Sequence, residues 1–485
     1  MSPGKFKGYL AGYLPVNLVQ ALAALGVVMI YTRLLEPAEY GRYALAITAL
    51  QWLQVLLFFW LHSGVARFYE ASRLQQQLPG LLTVSAVAGL LISGVWMVLA
   101  GAVAIRLEDA WRGLVLAGLA SLIARSLSLL GLEAHRAAHR VERYTVLESG
   151  QILLSLALGA LWVSLAGGGA AAILWAAALA SLLAVWLDTP FWLRLMRPFT
   201  WSMDALRRLA GYGLPLTASA LLSQVIVSSD RFFIAWLIDE RAVGVYSVAY
   251  ALADRPAAIV YNWIGMAAVP LAFAAMERDG PLAARQVMEK TAKAMMLLVF
   301  PCTVGLSMVA EPLAVTLTGV DFRGETARLI PWIAVASLLY GGMVHYAAHA
   351  FLITQNPRGL LATNILIAIL NLALNLLLIP FFGLAGAVAA SLIAYAVGFG
   401  LRLALARRFF AVPLPGIEAL RVALACTVMA LALKAAALPA TPAGLLLSIG
   451  LGVVAYGGGL LLFNVADSQG WLIAHWRTWR RGQHG

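Results

Sequence analysis

Five ionisable residues stand inside long apolar runs of this chain. They are Arg125 in "SLIARSLSL", Asp230 and Arg231 in "VSSDRFFI", and Asp254 and Arg255 in "AYALADRPAAIVY". Charges placed this way are costly in hydrocarbon, so they face a bundle interior or a water-filled path and mark a site. Their chemistry differs by type. A guanidinium stays protonated and holds phosphate oxygens with two parallel hydrogen bonds. An aspartate either clamps such an arginine or carries a coupling ion. His345 and His349 are one helical turn apart, a spacing two metal ligands could use. No carboxylate or cysteine accompanies them, so interhelical hydrogen bonding or a proton-linked role fits better.

The elements that position these residues are membrane helices. The 485 residues are 62% hydrophobic and 12% charged, with a mean hydropathy of +0.86. Soluble domains are nearer half apolar and a quarter charged. The composition predicts an all-α polytopic membrane protein. The net charge of +12 must then be placed on a topology before it is read as a nucleic-acid footprint. No cleavage pattern follows the first apolar run, so the first helix should stay. Cys302 and Cys426 fall in different spans and give no disulfide framework.

A ruler of roughly 20 apolar residues per crossing gives fourteen spans. They are 9–32, 41–63, 80–104, 111–134, 144–165, 170–193, 209–237, 242–273, 291–317, 329–354, 358–380, 384–406, 418–438 and 443–464. The eighth is too long for one crossing and should kink at Pro256 and run on past Pro270. With both termini cytoplasmic, most Lys and Arg fall in loops on that side, as the positive-inside rule requires. The tail "GWLIAHWRTWRRGQHG" interleaves Trp471, Trp476 and Trp479 with arginines. It reads as a basic interfacial helix on anionic lipid, or as a solvated basic tail.

The chain also repeats. "LAGYLPVNL" from Leu10 matches "LAGYGLPLT" from Leu209, and Gly41-Arg42-Tyr43 matches Gly244-Val245-Tyr246 after an acidic turn. "SLAGGGAAAILW" after the fifth span matches "PFFGLAGAVAAS" after the eleventh. The repeat unit is six helices, so the copies are parallel and related by a pseudo-two-fold axis along the membrane normal. The expected organisation is an N-lobe over 1–200, a C-lobe over 201–412, two appended helices over 413–465 and a cytoplasmic tail over 466–485. Transporters so built hold substrate between lobes and alternate access to it.

Four stretches carry a resemblance. They are "YTRLLEPAEYGRYALA", "SGVARFYEASR", "SSDRFFIAWLIDERAVGVYSVAYAL" and "NLLLIPFFGLAGAVAASLIAY". Together they make the chain resemble the multidrug/oligosaccharidyl-lipid/polysaccharide (MOP) flippase superfamily, in its Wzx-type polysaccharide branch. The resemblance implies a bacterial inner-membrane flippase that moves an undecaprenyl-diphosphate-linked oligosaccharide to the periplasmic leaflet. It implies no cofactor beyond H+ or Na+ coupling, a monomer, no nucleic-acid partner, and contacts with membrane lipids and polysaccharide polymerase or export machinery. A drug/cation antiporter or a lipid II flippase of the same fold are the alternatives. A polymerase or ligase is disfavoured, because no external loop is long enough to carry a catalytic site.

On helix rise, Asp230, Asp254 and Arg125 lie roughly 15, 21 and 22 Å below the nearest external turn, near mid-bilayer. Asp230 with Arg255, or Arg231 with Asp254, could neutralise one another. Arg125 has no acidic partner in its own span and should supply surplus positive charge. Arg125, Arg231 and Arg255 are therefore expected to line a cationic chamber for diphosphate, with Asp230 and Asp254 as clamp or ion-coupling groups. Tyr250 and Tyr261, with Tyr43, Trp52 and Tyr246, stand where sugar rings could stack. Arg67, Tyr69 and Glu70 read as a cytoplasmic gate or an interfacial anchor. His345, His349, Asn364, Asn371 and Asn375 are weaker polar candidates, more in keeping with helix packing.

Overall fold

The computed structural model describes residues 3–467, and no strand occurs among them. The basic tail with Trp471, Trp476 and Trp479 lies outside the described residues. The chain divides into two compact units, Met1–Ser247 and Val248–Gly485.

The first unit holds α1 (Pro3–Leu34), α2 (Pro37–Leu74), α3 (Leu78–Ala104), α4 (Asp109–Ala137), α5 (Val141–Ala166), α6 (Gly169–Leu195), α7 (Met203–Ser228), the short α8 (Asp230–Leu237) and the start of α9 (Glu240–Asp279). Proline at the first turns of α2 and α3 starts both helices where its missing N–H costs nothing. Ser229, Asp230 and the preceding Ser228 interrupt the seventh span, because short polar side chains compete with the helical ladder. Small residues let backbones meet. Gly213 lies against the Trp60 backbone, and Gly64 against Leu209, where α7 runs beside α2.

The second unit holds α10 (Pro281–Met308), α11 (Ala310–Leu317), α12 (Arg323–Gly342), a π turn (Met343–Ala347), α13 (His349–Ile353), α14 (Pro357–Ala406), α15 (Gly416–Ala436) and α16 (Pro442–Leu462). The helix α9 continues through Pro256 and Pro270 for 40 residues. The 50 residues of α14 would make about 75 Å of helix, over twice a bilayer core. Gly383, at φ 57 and ψ −135, breaks it into two. Thirteen described helices are long and apolar enough to cross a membrane. Counting α14 twice recovers the fourteen spans of the sequence. Boundaries move: α2 runs on to Leu74, past the expected end at 63, and α10 begins at Pro281 rather than 291, because Glu289, Lys290 and Lys293 lie in its polar first turns rather than in a loop.

Repeat-equivalent residues share devices. Gly167, Gly168 and Gly169, at φ 71, 79 and 51, turn the chain into α6, and Gly383 does the same before the second half of α14. Glu39, from the first turn of α2, accepts the Ala170 N–H at 3.3 Å and so caps the start of α6. Gly41 and Gly244 meet each other directly. A Cβ on Gly41 would overlap the Glu240 carbonyl, and one on Gly244 would overlap the Pro37 carbonyl. Each would stand 3.1 Å from the other glycine's nitrogen. The two glycines thus form a close crossing of α2 and α9, backbone against backbone. Arg42 and Glu240 close the contact with an ion pair of 2.8 Å.

Candidate functional site

One face of α2 carries Gln51, Gln54, Phe59, His62 and Ser63 at helical spacing. With Glu133 of α4 and Gln224 of α7 they line a cavity of about 350 Å³ inside the first unit. Gln51 lies some 14 residues, roughly 21 Å, from the start of α2, well within the helix. The His62 ring nitrogen Nε2 is 3.1 Å from the Ser126 carbonyl. A carbonyl only accepts, so Nε2 carries the proton and Nδ1 is left as an acceptor. The Gln54 Nε2 amide nitrogen is buried without a hydrogen-bond partner. Glu133 accepts from Arg136 Nη1 at 2.7 Å. Sequence reasoning missed this wall. The signal that could have found it is the polar stripe 51, 54, 62 along one apolar helix.

Beside it, Arg125 lines a second cavity of about 280 Å³ with Tyr31, Tyr43, Gln151 and Ser181. The expected surplus charge is absent there. Glu148, on α5, accepts both guanidinium nitrogens of Arg125 at 2.8 Å, and Gln20 Nε2 lies 3.4 Å from the same carboxylate. Partners across neighbouring helices are invisible to a search confined to one span. Ser128 donates to Gln151 at 2.8 Å, and Gln151 donates to Ser181 at 2.6 Å, continuing the polar ladder. A further pair closes the other end of α4. Buried His135 meets both oxygens of Asp188 on α6 at 2.8 and 3.0 Å, stacked on Phe191, with Arg143 at 3.7 Å.

Asp230 is buried and accepts from the Tyr246 hydroxyl and from the Arg231 backbone N–H. The Arg231 guanidinium stands 3.5 Å away. Arg125 and Arg231 thus each stand beside a carboxylate of their own, Glu148 and Asp230, and neither contributes the surplus positive charge expected of a cationic wall. Tyr43 packs edge-on to Tyr31 and Tyr40. Trp52 donates to Ser228 at 2.8 Å. The gate trio is not gathered: Arg67 is exposed, Tyr69 is buried, and Glu70 pairs with Arg73.

In the second unit Asp254 accepts from Ser337 at 2.9 Å, Arg255 is exposed and Tyr250 is buried. Tyr261 is buried against Gly341, donates to the Leu338 carbonyl at 2.9 Å and stacks on His345. That geometry gives it a packing role. Among the described residues no group of three His, Cys, Asp or Glu could hold a metal ion, and His349 is a buried neighbour of the same core. Asn375 donates to Asn371. Asn364 accepts from Arg402, a side chain only 1% exposed that also donates to Thr363 and to the Met343 carbonyl opening the π turn. Arg402 was not among the candidates read from the sequence. It is a buried guanidinium held by neutral oxygens, pinning an irregular turn.

A family model described as "Polysaccharide biosynthesis protein" matches residues 30–324. The chain belongs to this family. No curated protein matches the chain by sequence. Among solved structures, the fold is similar to the lipid II flippase MurJ in an inward closed conformation. The TM-score is 0.78 at 12% identity, over 94% of this chain and 99% of that one. An inward-facing multidrug resistance MATE family transporter of the MOP superfamily gives 0.65 at 16% identity, over 81% and 96%. A MOP superfamily transporter from Pyrococcus furiosus gives 0.53 at 15%, over 82% and 94%. This member of the polysaccharide biosynthesis family is therefore a multi-pass membrane protein with the MOP transporter fold.

Proposed function

We propose that the chain flips an undecaprenyl-diphosphate-linked oligosaccharide from the cytoplasmic to the periplasmic leaflet of a bacterial inner membrane, by alternating access. Surface polysaccharide assembly and export machinery consumes the product. Both termini face the cytoplasm in this reading, and an H+ or Na+ gradient drives the cycle without a further cofactor or any catalysed reaction. The observation that carries it is the amide, hydroxyl and imidazole wall of Gln51, Gln54, Gln224, Ser63 and His62 within membrane helices. Such groups replace the hydration of a sugar's hydroxyls, while a drug or cation site of the same fold calls for free carboxylates. Here the carboxylates nearest the wall, Glu133 and Glu148, are each taken by an arginine.

Deleting the gene in its own cell tests the reading. Surface polysaccharide is expected to be lost, with the lipid-linked precursor accumulating on the cytoplasmic face, and to return with the intact chain. Unchanged polysaccharide with altered drug tolerance would instead establish an antiporter, and arrested peptidoglycan synthesis a lipid II flippase.

A further inference from the structure

The cavity between α2, α4 and α7 has a lining that does more than welcome a glycan. Three of its side chains are glutamines, each offering two N–H donors and a carbonyl acceptor. A sugar hydroxyl both donates and accepts, so amides satisfy it in either sense. Ser63 and the acceptor Nδ1 of His62 extend the same capacity. Phe59, Val55 and Leu129 give an apolar surface for the carbon-bound hydrogens of a ring. At about 350 Å³ the space suits a small ligand group.

Charge adds selection. No Lys or Arg lines this cavity, and its one ionisable carboxylate is Glu133. Arg125, whose charge a sugar acid would seek, lines the neighbouring cavity and is held bidentate by Glu148. Arg136, which holds Glu133, is half-exposed over the Tyr144 ring and is not part of the lining. Glu133 is ion-paired with Arg136, but its oxygens, like a carboxylate on an incoming sugar, accept only, so two acceptors would face each other with no proton between them. We propose that this cavity recognises uncharged pyranose rings and rejects acidic ones, Glu133 serving as the repulsive element. Discrimination then rests on a built-in penalty as well as on attraction. The inference rests on the flippase reading above and names the class of glycan it moves.

The test uses the full chain in liposomes, with undecaprenyl-diphosphate carrying glucose and the matched lipid carrying glucuronic acid. Transfer between leaflets is followed for each. The glucose lipid is expected to cross at least about tenfold faster, a difference of the size one unfavourable contact produces. Glu133→Gln should bring the ratio below about threefold by raising the glucuronate rate, and Gln224→Glu should widen it. Equal rates in the unmodified protein, or a ratio untouched by Glu133→Gln, would overturn the selectivity. Transfer of neither lipid above protein-free liposomes would overturn the flippase reading itself, and the selectivity with it.

Discussion

Arg125→Ala is expected to destabilise the first unit by about 3–5 kcal/mol, because it strands a buried carboxylate. Glu148 is 3% exposed, and its charge is met by Arg125 through two bonds of 2.8 Å. For a unit of this size that loss lowers the melting temperature by on the order of 10 °C. A drop in surface polysaccharide in this variant therefore reports folding as much as transport. Arg125→Gln combined with Glu148→Gln removes both charges at similar volume, and is expected to recover most of the lost stability. Melting temperature and leaflet transfer measured on the single and double variants separate the roles. A double variant that folds but does not transfer assigns the guanidinium to the diphosphate. One that folds and transfers makes the pair a clamp between α4 and α5.

Gly41→Val should be nearly as damaging. Any side chain there meets the Glu240 carbonyl, which is backbone and cannot swing aside. The helices must separate, and the Arg42–Glu240 pair separates with them. The cost is that of severe overpacking, about 3 kcal/mol. Gly244→Val should cost the same, because the contact is reciprocal. Gly94→Val, where a Cβ meets nothing within 4 Å, should be tolerated. Yield of folded protein in detergent by size exclusion checks all three. Equal yields would mean that the Gly41–Gly244 crossing is not a fixed contact.

Much of the architecture was legible in the sequence, because apolar runs of bilayer length and turn-forming glycines are local signals. The fourteen spans and the matched glycine turns at 167–169 and 383 follow from residue type and spacing, whereas the break before Asp230 falls inside what reads as one span, 209–237. The Gly41 and Gly244 match anticipated two positions that touch. The site was less legible. Glu148 stands four residues into the fifth span, where a carboxylate reads as a helix head, yet it crosses to α4 and cancels Arg125. Asp188 and Arg402 sit toward the ends of their helices and drew no candidate role, but both are buried on partners distant in sequence. Gln51, Gln54 and Gln224 carry no charge, so a search for costly ions passes over them. Which face of α2 turns to α4 and α7 is a tertiary fact, and only there does the polar stripe become a wall.

The central claim, that this wall touches the glycan of a lipid-linked sugar, is tested most directly by photo-crosslinking. A photoreactive amino acid replaces Gln54 on the cavity side of α2, or Leu56 on its exposed side, in otherwise unchanged protein. Each is illuminated with radiolabelled undecaprenyl-diphosphate-linked saccharide. Strong labelling is expected from position 54, competed by unlabelled saccharide lipid and not by undecaprenyl phosphate, with only background from position 56. Equal labelling at both positions, or none at 54, would contradict it.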